Sequence, residues 1–238
     1  MSLPKELSPD PLVISAVEIR FISDLNDENL LSTFFPILAT DLPQLATSKI
    51  PQGIRKIDAQ FKYSPDYSMS NGTYMISFSN KVLLVENIGK YTLWPNYFGF
   101  IKTQLSKIFL LNSIKSIERI GVRYASMLNQ EENLNYVIKH NPVFSIQGFD
   151  EEILQIRTNF KKNNNNLHLQ IAQNAKSERQ NQVKIGLLLD IDASRSEPHI
   201  EVIPEQIFTI IDELHTAEKT LFFELLNPTY LNKLNPKY

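Results

Sequence analysis

The chain has 238 residues, of which 42 % are hydrophobic and 10 % aromatic, enough for a sizeable core in one large domain or two small halves. A formal net charge of -2 and a pI near 6.1 argue against a dominant polyanion-binding surface while leaving room for a local basic groove, because non-specific nucleic-acid affinity is built from clustered Lys and Arg that displace counterions. With no cysteine, a disulfide, a thiolate nucleophile and a Cys-ligated metal site are all excluded.

The opening residues, MSLPKELSPDP, lack the basic, apolar, small-residue layout of a signal peptide, and no segment approaches the roughly 18 uninterrupted apolar residues of a membrane span. The expectation is a cytoplasmic protein without a membrane partner. Residues 1–11, with three prolines, read as an extended lead-in. From Leu12 to Phe21, Val17, Ile19 and Phe21 alternate with Glu18 and Arg20, which is a strand with one buried face. Asp24 to Glu28 offers N-cap candidates for a helix whose apolar face carries Leu30, Leu31, Phe34, Phe35 and Leu38. Pro36 removes a backbone donor, so this helix is expected to break or restart there. Residues 41–56 look like a loop.

Three strand signals follow, at Ile57 to Tyr63, Thr73 to Ser79 and Val82 to Ile88. The last two flank Ser79-Asn80-Lys81 and read as an antiparallel hairpin, Asn80 being a residue that tolerates positive φ. Glycine is scarce, at seven in the whole chain, so asparagine is expected to fill left-handed turn positions. Trp94-Pro95 opens a helix to about Asn112, with proline where its missing N–H costs nothing. Its expected apolar stripe is Trp94, Phe98, Ile101, Leu105, Ile108 and Leu111 or Asn112. Ser116 to Leu128 is a strand, with Ile120, Val122 and Tyr124 on one face and Arg119, Gly121, Arg123 and Ala125 on the other. Gly121 leaves room for a backbone or bulky side chain to come close.

After Asn129 the composition turns polar, marking a junction with room for a helical turn or two. Strand signals then run over Val143 to Phe149, Ile153 to Phe160, Leu167 to Gln173 and Val183 to Asp192, with the run KKNNNN as a hairpin tip. Residues 193–203 read as a connector. The closing helix, Pro204 to Leu226, has a broad apolar face built on Ile207, Ile211, Leu214, Leu221 and Phe222, and the tail is too rich in Asn and Pro to continue it. Strands grouped between widely spaced helices imply an α+β fold, antiparallel sheet or sheets packed by amphipathic helices. Residues 1–130 and 131–238 read either as two degenerate strand-then-helix halves or as parts of one compact domain.

Candidate chemistry sits on the charged side of three strands. Period two places Glu18 with Arg20, Arg119 with Arg123, and Asp190 with Asp192, each pair opposite an apolar set. One reading is a polar cleft, the arginines capturing phosphate or carboxylate and the D-x-D pair a hard divalent cation. The plainer and preferred reading counts three acids against three bases and expects cross-strand ion pairs. His215, inside the closing helix, is a candidate general base if Asp212 or Glu218 orients it; a helix-edge histidine satisfied by a local partner is preferred. His140, His168 and His199 match no zinc spacing. No P-loop, dinucleotide glycine pattern, G-x-S-x-G or H-E-x-x-H is present, and no cofactor is expected. Tyr63, Tyr67, Tyr74, Tyr91, Trp94, Tyr97 and Phe98, interleaved with Lys62, Lys81 and Lys90, offer a stacking surface for single-stranded nucleic acid, or else core and a protein-interaction patch.

The pieces PLVISAVEIRF, RIGVRY, LLLDID and ELHTAEKTLFFELL, in that order, resemble a sporadically distributed bacterial family of roughly 250 residues whose function is uncharacterised. The resemblance implies no known chemistry or cofactor. A patchy distribution implies an accessory gene of the defence or toxin–antitoxin kind. Four strands followed by a long helix are also similar in order to SecB-like export chaperones, a fold-level analogy. The preferred expectation is a non-catalytic interaction module with a protein partner or a homodimer. The alternatives are a nucleic-acid-associated protein using Trp94, and a metal- or phosphate-handling enzyme centred on Asp190, Asp192, Arg119 and Arg123.

Overall fold

The computed structural model describes residues 3–50, 58–129, 134–139, 155–179 and 182–238. The expected strand Val143 to Phe149, together with His140, Ile57, Ile153 and Leu154, lies outside them. The strands are β1 (Leu12–Ile22), β2 (Gln44–Thr47), β3 (Tyr67–Ser70), β4 (Tyr74–Phe78), β5 (Val82–Asn87), β6 (Ser116–Asn129), β7 (Gln155–Lys162), β8 (Asn165–Arg179) and β9 (Gln182–Ile200). The α-helices are α1 (Asp27–Leu38), α2 (Trp94–Phe109), α3 (Leu134–Val137), α4 (Pro204–Leu225) and α5 (Pro228–Lys233). Among the described residues the strands form one nine-stranded sheet in the order β2-β3-β4-β5-β1-β6-β9-β8-β7, an α+β architecture. No described helix is long and apolar enough to cross a membrane.

Two compact units divide the chain, one from Ser15–Val122 and Ser194–Glu213, the other from Met1–Ile14, Arg123–Ala193 and Leu214–Tyr238. In the first, cross-strand registers line up side chains in rows. Val17 pairs with Val85, Val85 with Ile76, Ile76 with Met69 and Met69 with Leu45; Ile19, Leu83, Phe78, Tyr67 and Thr47 form the next row. Directly opposed residues share a sheet face, so each row is a continuous apolar rib. The helices cover these ribs. Phe34 of α1 meets Phe78 edge-on at 5.2 Å, and the hydroxyl of Tyr97 on α2 donates to the carbonyl of Val85 at 2.6 Å.

Several expectations change here. Helix α1, capped by Asn26 accepting from the N–H of Asn29 at 2.8 Å, runs through Pro36 and stops two residues later, because the proline falls in the last turn. The buried face of α2 is Tyr97, Ile101, Leu105 and Ile108, with Trp94 and Phe98 at its flank. The segment expected as a strand to Tyr63 forms a 3-10 turn over Ala59–Phe61, because Asp58 accepts from the N–H of Gln60 at 3.0 Å and diverts the backbone. The loop expected over residues 41–56 contains β2, and β3 is a further strand; both are too short for a period to show. Asn80 does not adopt positive φ, but Asn112, Asn163, Asn174 and Asn235 do, with Asn163 turning the β7–β8 hairpin. Strand β9 continues through the expected connector to Ile200, and β8 extends to Arg179.

In the second unit, Leu128, Leu169, Ile171, Leu189, Phe222 and Tyr230 belong to one core cluster. The tail does restart as a helix, α5, with Asn227 accepting from the N–H of Thr229 at 3.0 Å. Gly186 on β9 faces the β6 backbone so closely that a Cβ there would collide with the carbonyl of Leu128 and lie 3.2 Å from Met127 Cγ. A Cβ on Gly99 of α2 would meet no neighbouring side chain within 4 Å. Two glycine substitutions should therefore act with opposite sign in thermal melts: Gly186→Ala costs about 1–3 kcal/mol, whereas Gly99→Ala stabilises by about 0.5–1 kcal/mol.

Candidate functional site

The three charged strand faces form ion pairs within each unit. In the first, Arg20 donates from Nε to Glu18 Oε1 at 2.7 Å, and Arg119 donates from Nη1 to the same oxygen. Gly121 makes the second contact feasible. The Arg119 guanidinium lies across it, and a Cβ at position 121 would come within 2.9 Å of Arg119 Cζ. Arg20 also covers the ring of Tyr63, 4.1 Å from its centroid, beside Lys62 at 4.9 Å.

In the second unit, Arg123 grips Asp190 with both arms of its fork, Nε to Oδ1 at 2.9 Å and Nη2 to Oδ2 at 2.6 Å. Bidentate pairing of this kind fixes both side chains in one geometry. Asp192 is half-buried two residues along β9. The arginines that a phosphate or carboxylate ligand would need thus hold carboxylates of the chain itself. Among the described residues no cluster of three or more His, Asp or Glu is arranged to hold a metal ion.

The aromatic candidates are likewise engaged with one another. Trp94 stacks on Phe98 at 4.9 Å and its indole N–H donates to Asp212 at 2.8 Å. Tyr74 stacks on Phe100 at 4.0 Å and its hydroxyl shares a 2.8 Å hydrogen bond with Thr92, while Tyr97 is in the core. The faces that nucleobases would occupy are partly used within the protein.

His215 departs from the helix-edge expectation. It is only 7 % exposed, with its ring 5.6 Å from that of Tyr124, and Glu218, on the same face of α4, is 4 % exposed. Burial lowers the imidazole from its ordinary 6.5 to about 3, the charge of Lys219 adding to the effect. Burial pushes the Glu218 carboxyl well above the usual carboxylate range; the positive charge of Lys219 opposes this and the negative charge of Asp190 adds to it. Lys219, half-buried, is lowered chiefly by burial. An imidazole at about 3 is a weak base at neutral pH, so the group is poorly matched to general-base work. Asp212, one of its candidate orienting partners, receives the Trp94 indole instead.

The sheet edges differ in kind. At one end of the strand order, β7 carries Arg157, Lys161 and Lys162, and charges of this type discourage edge-to-edge pairing. At the other, β2 reads Gln-Leu-Ala-Thr, with no charge and every residue exposed. Leu45, the outer end of the Val17–Val85–Ile76–Met69 rib, remains 44 % exposed. Sequence reasoning missed this feature: four neutral residues leave no periodic signal, and Pro43 with Pro51 made the stretch look like loop.

The two buried titratable groups make opposite pH predictions. His215, depressed when folded, contributes stability present above about 6.5 and lost as pH falls toward 3. Glu218, raised when folded, contributes stability present below its unfolded value near 4.5 and lost as pH rises through its folded value. Melting series should therefore show His215→Gln gaining on the wild type between pH 7 and 4, and Glu218→Gln gaining between pH 5 and 8, with a limiting slope of about 1.4 kcal/mol per pH unit for each proton. Comparison of the chain with protein-family models, with curated proteins and with solved structures finds no match.

Proposed function

We propose that this chain is a non-catalytic protein-interaction module that docks a partner chain along the outer edge of β2. The supporting observation is the charge contrast between the two exposed edges, β7 carrying Arg157, Lys161 and Lys162, and β2 neutral and ending an apolar rib at Leu45. An edge of this kind offers main-chain donors and acceptors for affinity and alternate side chains for specificity. The internal pairing of Arg119 with Glu18 and of Arg123 with Asp190 favours this reading over the phosphate- or metal-handling alternative. The setting belongs to the same proposal: a cytoplasmic accessory component of a bacterial defence or toxin–antitoxin system, as the family resemblance implies, with the neighbouring gene's product as a first partner to test.

Tagged chain purified from its host should retain a stoichiometric protein partner, either another protein or an untagged copy. Leu45→Lys, which alters an exposed side chain and adds a charge to the edge, should lose that partner at least tenfold, while Asp190→Asn should keep it. Equal retention by Leu45→Lys contradicts edge docking, and loss on Asp190→Asn in a folded variant moves the site to β9.

A further inference from the structure

Resting on that reading, we infer that the occupant of the β2 edge is a second copy of the chain, its β2 paired antiparallel about a two-fold axis at Ala46. The inner edge of β2 defines which groups remain for a partner. Ser48 donates its N–H to the carbonyl of Asp66 at 2.8 Å, and the ladder continues with Ala46 opposite Ser68 and Gln44 opposite Ser70. In an antiparallel strand, peptide groups point alternately to the two sides, so Leu45 and Thr47 direct theirs outward.

A copy related by two-fold symmetry can satisfy these outward groups in full when Leu45 lies opposite the second copy's Thr47. Shifting the axis toward Pro43 places a residue without an N–H opposite Thr47 and leaves an acceptor unmatched. Shifting it the other way runs into the turn after Ser48, whose hydroxyl accepts from the N–H of Ile50 at 3.2 Å. Only the Ala46-centred register remains. It places two methyl side chains face to face on the axis, and Gln44 opposite Ser48, a pair able to hydrogen-bond.

Charge and packing agree with the same register. An isologous contact repeats every charge against its own copy, and β2 has none to repel; the flanking Lys49 faces Pro43 of the second copy. Leu45 meets Thr47, so the rib Val17–Val85–Ile76–Met69–Leu45 of one copy runs into the rib Thr47–Tyr67–Phe78–Leu83–Ile19 of the other. The exposed leucine thereby gains the opposing neighbour that each inner member of its rib already has.

The chain's lack of cysteine gives a direct test. Ala46 at the axis forms a non-hydrogen-bonded pair with its copy, for which the Cα separation is about 4.5 Å, within the range a disulfide spans. Full-length Ala46→Cys should oxidise to a covalent dimer on non-reducing gels, whereas Thr47→Cys, opposite Leu45, should yield at least tenfold less. Ala46→Lys and Ala46→Glu should each sediment as monomers at concentrations where the wild type is dimeric, and an equimolar mixture of the two should restore the dimer. A wild-type chain that stays monomeric at high concentration and an Ala46→Cys that does not cross-link overturn the inference. A dimer that persists in Ala46→Lys overturns it as well, by placing self-association elsewhere. In the first outcome a foreign partner lost on Leu45→Lys leaves the broader module reading standing, so the two failures are distinguishable.

Discussion

Every antiparallel strand has peptide groups directed to both sides, and a sheet must dispose of them at its edges. In the Ser15–Val122 unit the dependence is concrete, because each apolar rib is carried from strand to strand by the same ladder that orders the backbone. Val17, Val85, Ile76 and Met69 are buried under helices; Leu45, next in register, is not. Among the described residues no strand thus lies opposite the outward peptide groups of Leu45 and Thr47 or the apolar side chain that ends the rib. An added strand meets both needs.

The charged residues are spent differently. Glu18 accepts from Arg20 and Arg119, and Asp190 from both arms of Arg123, so carboxylates and guanidinium groups on the strands stabilise the sheet face locally instead of waiting for a ligand. Gly121 is the small residue that lets Arg119 lie flat enough to do so. On α4 the cost is less evenly offset. His215 and Glu218 are both buried, and each is pushed toward its neutral form, which ties stability to pH from opposite sides.

Much of the architecture was legible in the sequence where periodic signals are long. The alternation of Val17, Ile19 and Phe21 located β1, the apolar face around Leu214 and Phe222 located α4, and the asparagine run located the β7–β8 turn at Asn163. Charge alternation also placed the groups that pair, though not which arginine takes which carboxylate, since register is set by tertiary contacts. What escaped were short elements and local competitors. β2 and β3 have too few residues for a period to register, Asp58 turned an apparent strand into a 3-10 turn, and Pro36 was tolerated because only its position relative to the helix end decides its effect. On α2 the stripe was right at Ile101, Leu105 and Ile108 but misplaced in the first turn, because Trp94 and Phe98 are as apolar as the residues that do enter the core, and it is Tyr97 whose hydroxyl finds Val85.

Docking at the β2 edge depends on the direction of individual peptide groups, which amide hydrogen exchange reads residue by residue. In dilute solution the N–H of Ala46 should be protected by β3, while those of Leu45 and Thr47 exchange as open amides; on raising the concentration of the chain, Leu45 and Thr47 should slow by at least tenfold and Ala46 should change little. Fast exchange at Leu45 and Thr47 at every concentration, or protection that does not depend on concentration, contradicts the account.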